Sequence, residues 1–254
     1  MKKLKKILAM VICSLLFVGT STTALAAGSP PTASDGSLWN TRNKQIVSSL
    51  KGSSDNYSTT ISNYFSKPSN YNANVKLMDQ FVKQSKSKVI YPKQYRTDKI
   101  SDDITVHFYD DGSFVIQNKI FEAKVKKDLF APDSIASPMD VFWQYYDAEY
   151  EIYNAGGAVV CKIFVDGVWT SDGTTVSDAG SNAHYQITGV DIGVNQWSSG
   201  TQPLPGYEGG TANRAYGRGN IYGYYNILGQ QIIFSNYWAD CGVTCEPDGL
   251  IIVQ

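Results

Sequence analysis

The 254-residue chain has only two histidines, His107 and His184, and that scarcity removes much ordinary enzyme chemistry. Nucleophilic catalysis sets a serine or cysteine beside a base, yet neither histidine stands in a base motif and no Gly-x-Ser-x-Gly element occurs. By strand parity His107 shares a face with Thr105 and Tyr109 and reads as a surface or edge histidine. Gly217-x-Gly219 has no strand-to-helix context, so it is no dinucleotide loop. An excess of positive charge is also missing. Taking four leader lysines from 22 basic residues leaves 18 against 23 acidic ones, a net charge of about −5. Nucleic-acid binding needs a basic face and is excluded as a partner class. Simple electrostatic attraction to anionic membranes is excluded with it. Beyond the N-terminus no hydrophobic run reaches spanning length.

The N-terminus itself is informative. Lys2, Lys3, Lys5 and Lys6 precede an apolar run from Ile7 to Val18, and Ala24-Leu25-Ala26 offers the small residues of a cleavage site. This pattern predicts a signal peptide over 1–26 and a released, extracellular chain of 228 residues. Cys13 follows Ile12, where a lipoprotein site needs a small residue, so no lipid anchor is expected. Segment 27–36 is rich in Pro and Ser and predicts disorder. Three cysteines remain, Cys161, Cys241 and Cys245, and an oxidising exterior predicts one disulfide bond with one thiol left over. Cys161 could reach either of the others across sheets, or Cys241 and Cys245 could close a small loop.

Helical spacing marks 37–92. Leu38, Ile46, Val47 and Leu50 lie at helical intervals before Gly52, and a second helix is expected over Tyr57 to Phe65. A third is expected with Asn74 as its cap and an apolar stripe of Val75, Leu77, Met78, Phe81 and Val82 packed on a sheet. From 93 to 254 the two-residue strand period takes over. Ile104, Val106 and Phe108 alternate with polar residues, Asp111-Gly112 supplies a turn, and a bulge near Asn118-Lys119 reconciles the two parities of the next strand. Further strands are expected over Phe142 to Tyr153, Ala158 to Val165, Ala183 to Asn195, Ala215 to Ile227, Gln231 to Trp238 and Leu250 to Val253, with a loop at Pro132 and Pro138 and another from Thr201 to Asn213. The fold class is α+β: short N-terminal helices followed by a predominantly antiparallel β-sandwich.

Parity also separates the two sides of each strand. In 215–227, Gly217, Gly219, Ile221 and Gly223 make a thin side suited to close packing. Tyr216, Arg218, Asn220, Tyr222 and Tyr224 make the other, where flat rings and hydrogen-bond donors suit sugar rings, polymer surfaces or a protein partner. Trp143 and Tyr145 begin a similar side on 142–153, which continues with Asp147, Glu149, Glu151 and Tyr153, and they join the candidate binding set. Glycoside hydrolysis would use a pair of these acids, but none is singled out for a raised pKa, so no catalytic residue is assigned. Asp110, Asp111, Asp166, Asp172 and Asp178 could ligate calcium, although Asp-Gly is first a turn signal; no metal or other cofactor is assigned. Ser171 to Thr201 alternates small polar residues with Val, Ile and Tyr, a pattern compatible with membrane contact.

The leader ending Thr22-Thr23-Ala24-Leu25-Ala26 and the single released chain resemble the high-molecular-weight secreted bacteriocins of the geobacillin type. That resemblance implies killing of closely related bacteria through membrane disturbance, without catalytic residues. The expected function is therefore a secreted, non-enzymatic antibacterial protein whose partner is the target-cell envelope or a surface receptor. The alternative is a secreted binding module for glycan, cell wall or surface protein.

Overall fold

The computed structural model describes residues 37–53, 56–84, 91–126, 142–207, 210–227 and 230–253. The expected signal peptide, the 27–36 segment and the Pro132–Pro138 loop lie outside the described residues. A 3-10 turn, Ser37–Trp39, leads into α1 (Asn40–Lys51), α2 (Tyr57–Ser66) and α3 (Pro68–Gln84). Asn56 caps α2 by accepting the Ser58 amide at 2.8 Å. Lys67 is extended, as a residue before proline must be, and Pro68 opens α3. Asn74 is therefore an internal, buried residue of α3 and not its cap. The stripe expected to pack is divided. Leu77 and Phe81 turn inward, whereas Val75, Met78 and Val82 are exposed, as is Tyr71 earlier in the helix.

The strands are β1 (Gln94–Lys99), β2 (Ile104–Tyr109), β3 (Phe114–Lys126), β4 (Phe142–Tyr153), β5 (Val159–Ser171), β6 (Val176–Asp178), β7 (Asn182–Ile187), β8 (Ile192–Tyr207), β9 (Gly210–Ile227), β10 (Gln230–Cys245) and β11 (Ile251–Val253). They form two antiparallel sheets, so the chain is α+β and mostly β. The larger has the order β1-β2-β3-β4-β5, with β6 and β7 sharing the far edge of β5; the smaller is β11-β10-β9-β8. The register of β3 shifts between Lys119 and Phe121, beside the expected bulge. Two expectations fail here. The run from Ala183 to Asn195 is not one strand, because the chain leaves the larger sheet after Ile187 and enters the smaller at Ile192, with Asp191 at φ 57°. The Thr201–Asn213 loop is instead the second half of β8 and the start of β9: Pro203 and Pro205 are tolerated because β8 is an edge.

Two cores result. One lies between the sheets and joins Tyr146, Ala148, Tyr150, Ile163 and Trp169 of the larger to Ala215, Ile221, Ala239 and Val243 of the smaller. The other packs Ile46, Val47, Leu50, Ile61, Tyr64 and Phe65 of α1 and α2 on Val106, Phe108, Phe114, Ile116 and Tyr153, on the opposite face of the larger sheet.

Arg42 ties the first layer down. Its five N–H donors go to Asn43 Oδ1 (2.8 and 2.9 Å), Asn74 Oδ1 (3.2 Å), Ala155 O (3.1 Å) and Gly112 O (2.7 Å), and its guanidinium lies 4.5 Å from the Trp39 ring. Burial lowers its pKa to about 10, so it stays charged at neutral pH. Asn74 adds a bond from Nδ2 to Ala155 O at 3.0 Å.

The cysteines correct another expectation. All three are buried thiols without a bridge. Cys241 and Cys245 sit four positions apart on one strand, about 13 Å by strand rise, well beyond the roughly 7 Å limit for a disulfide. Burial pushes the Cys161 and Cys245 thiols up to about 12 and raises Cys241 as well. Thiol titration of the purified protein should find Cys161, Cys241 and Cys245 unreactive when native and reactive after unfolding. Arg42→Met should lower stability by about 3 kcal/mol in urea unfolding, because it strands several buried acceptors at once.

Candidate functional site

The smaller sheet buries one side of β9 and leaves the other half-exposed. Ala215, Gly217, Gly219, Ile221 and Gly223 face the core, and Tyr216, Arg218, Asn220, Tyr222 and Tyr224 face outward. A bulge in β8 between Asn195 and Ser198, with Gln196 at φ 52°, helps set this division. It turns Trp197 inward onto Gly217 and Gly219, where a Cβ would meet the indole within about 3 Å, and it directs Gln196 Oε1 outward to accept from Asn220 Nδ2 at 3.2 Å.

Two of the outward rings, Tyr216 and Tyr222, have glycine as a cross-strand neighbour. Tyr222 pairs with Gly193 of β8, and a Cβ there would strike its ring at 2.4 Å; Arg214 lies the same way over Gly242 of β10. Arg218 covers the Tyr216 ring at 4.7 Å, Arg214 donates to Asp240 at 2.9 Å, and the Tyr222 and Tyr224 rings are 5.8 Å apart at 40°. Trp238, opposite Asn220, is 50% exposed. The surface is thus a row of tilted rings with a guanidinium and a carboxamide between them, able to bind by stacking and hydrogen bonding.

Trp143 and Tyr145 do not belong to that row. They lie on the outward face of the larger sheet, on the side that carries the helices, so the two halves of the expected set are on opposite faces of the molecule. Their rings are 6.2 Å apart at 14°. The β3 register shift brings Phe121 and Val125, 48% and 52% exposed, alongside Asp147 and Trp143. Asp147 faces Asp166, and its carboxyl is raised first by burial and then by that neighbour's charge.

Farther along the same face of β4 the helices close over the acids. Glu149 Oε1 accepts from Lys162 Nζ at 2.8 Å, Glu151 is in contact with the same ammonium, and the Tyr153 hydroxyl donates to Glu151. Tyr57, at the start of α2, reaches Glu149 at 3.4 Å. Burial alone would lower the pKa of Lys162, but the hydrogen bonds it donates to both carboxylates, with their charge, outweigh it and the value is raised; Tyr57 and Tyr153 are raised by burial and by the acids. With both carboxylates held by one lysine, neither is placed as a free acid or base. Lys162 comes to stand opposite Glu151 only through a register shift beside the Asn154–Gly157 turn, since regular counting from Tyr153 and Val159 would set Cys161 there. An open groove of about 480 Å³ adjoins this cluster, lined by Ser58, Ser62, Phe65, Tyr71, Tyr153 and Gly157 among others. Asp172 and Asp178, weighed above as calcium ligands, accept amides of their own turns, from Thr174, Thr175, Gly180 and Ser181.

Lys162→Met should destabilise the fold by about 3 kcal/mol, because Glu151, 2% exposed, would be left without its cation. Adding Glu149→Gln should recover part of that loss, measured as the coupling in a double-mutant cycle. No protein-family model, curated protein or solved structure matches the chain.

Proposed function

We propose that the chain is an exported, non-enzymatic antagonist of related bacteria, bacteriocin-like, which engages their envelope through the outward face of β9. The observation that carries this reading is the half-exposed row Tyr216, Arg218, Asn220, Tyr222 and Tyr224, in which Tyr216 and Tyr222 stand opposite Gly200 and Gly193 of β8. Such a row presents apolar area already ordered by its neighbours, which lowers the entropy lost on binding. The N-terminal leader pattern and the net negative charge fit export and a receptor-led mode of attack. On this reading the two sheets form a β-sandwich, the antiparallel scaffold that holds such a row flat.

A binding module for glycan or cell wall is the second reading, favoured by the paired Trp143 and Tyr145 rings on the opposite face. Spotted on lawns of related Gram-positive cells, the purified exported chain should clear zones that protease treatment abolishes. Retention without clearing across a panel of relatives would select the binding module. In a pull-down on isolated cell walls, Tyr222→Ala and Tyr224→Ala should each weaken retention about tenfold, or ~1.4 kcal/mol. Unchanged retention would remove the β9 face from consideration. Dye release from vesicles separates membrane damage from wall binding.

A further inference from the structure

The edge of β10 is a second interaction surface, independent of the tyrosine row. β11 pairs only with Val243–Cys245. The Tyr224 amide donates to Asp191 O on the β8 side, so by alternation Tyr222, Asn220 and Arg218 also direct their backbone groups toward β8. Their partners Asn236, Trp238 and Asp240 then direct N–H and C=O away from β9. The Gly242 carbonyl accepts from the Tyr150 hydroxyl at 3.1 Å. Among the described residues no strand pairs with this side of Ser235–Cys241.

Two other edge strands, β1 and β8, are guarded. β1 carries Arg96, Asp98 and Lys99 in six residues and shifts register after Gln94. β8 has two register shifts and the prolines Pro203 and Pro205. Charges, bulges and prolines are the usual means of blocking strand addition. Ser235–Cys241 holds no proline, its one charge, Asp240, is already engaged by Arg214, and the register shift of β10 falls at its start, between Ile233 and Ser235, leaving 236–241 regular.

The surroundings of the edge select its occupant. β10 packs over β4 and β5, and Tyr237 reaches Tyr109 at the end of β2 with their hydroxyls 2.7 Å apart. The larger sheet therefore continues past β10 through β2 to β1. Two copies joined through antiparallel β10 strands would be related by a twofold axis normal to the sheet. Both projections would then enter the same space on the same side. A single extended strand meets no such obstacle. We propose that Ser235–Cys241 accepts one extended, uncharged segment of another polypeptide by strand addition, with a β-branched or aromatic residue of that segment beside exposed Trp238.

Amide hydrogen exchange on the purified exported chain tests this. In the free protein the amides of Asn236, Trp238 and Asp240 should exchange at least about tenfold faster than those of Tyr237, Ala239 and Cys241. The probe is a capped synthetic peptide of alternating threonine and valine, as long as Ser235–Cys241. It should slow the three fast amides about tenfold, and its copy N-methylated at every second amide should not. The proposal is overturned if the three amides are already as protected as their neighbours. It is equally overturned if the peptide leaves them unchanged or the N-methylated copy protects them as well. Sedimentation as a dimer that Trp238→Lys converts to monomer would assign the edge to a second copy instead.

Discussion

A buried guanidinium held entirely by neutral oxygens is the constraint on which the helical layer depends. Arg42 spends all five donors on Asn43, Asn74 and the carbonyls of Gly112 and Ala155, and so joins α1 to α3 and to the turns that close two hairpins. No carboxylate takes part in those five bonds, which is consistent with its lowered pKa. A buried charge is tolerable only when its donors are satisfied. The position of the helices is therefore specified by geometry as well as by the apolar contacts of α1 and α2, because an arrangement that loses one acceptor leaves a charged donor dry.

That placement divides one face of the larger sheet into two environments. Along β4, Tyr153, Glu151 and Glu149 lie under α2, where Lys162 and two phenols surround the acids. Asp147, Tyr145 and Trp143 continue the same face beyond the helices and stay half-exposed. Identical parity thus gives a largely buried ionic cluster at one end and an open aromatic surface at the other. The smaller sheet shows the reverse economy: Tyr222 lies across Gly193, and inner glycines make room for Trp197.

The legible parts of the sequence are those governed by short periods. Alternation of Ala215, Gly217, Gly219, Ile221 and Gly223 with Tyr216, Arg218, Asn220, Tyr222 and Tyr224 is visible by inspection, and the structure keeps the two sets on opposite sides. The α1 and α2 positions and the β2–β3 turn are legible for the same reason. Other features depended on partners far away in the chain. Pro203 and Pro205 read as loop residues because nothing local says that β8 is an edge. Asn74 reads as a cap because its acceptor role toward Arg42 and its bond to Ala155 span dozens of residues. Trp143 and Tyr222 fall into one candidate binding set because parity is defined within a strand and carries no information about which sheet the strand joins.

By itself, then, the sequence determined the class α+β, the approximate strands and which side of β9 carries rings, since these follow from side-chain spacing along a pleated backbone. Tertiary structure decided which sheet each strand enters, where the helices lie, that Cys161, Cys241 and Cys245 remain separate thiols, and that the two aromatic surfaces point in opposite directions. Those outcomes are set by long-range pairing and by the need to satisfy buried polar groups, and neither leaves a local period to read.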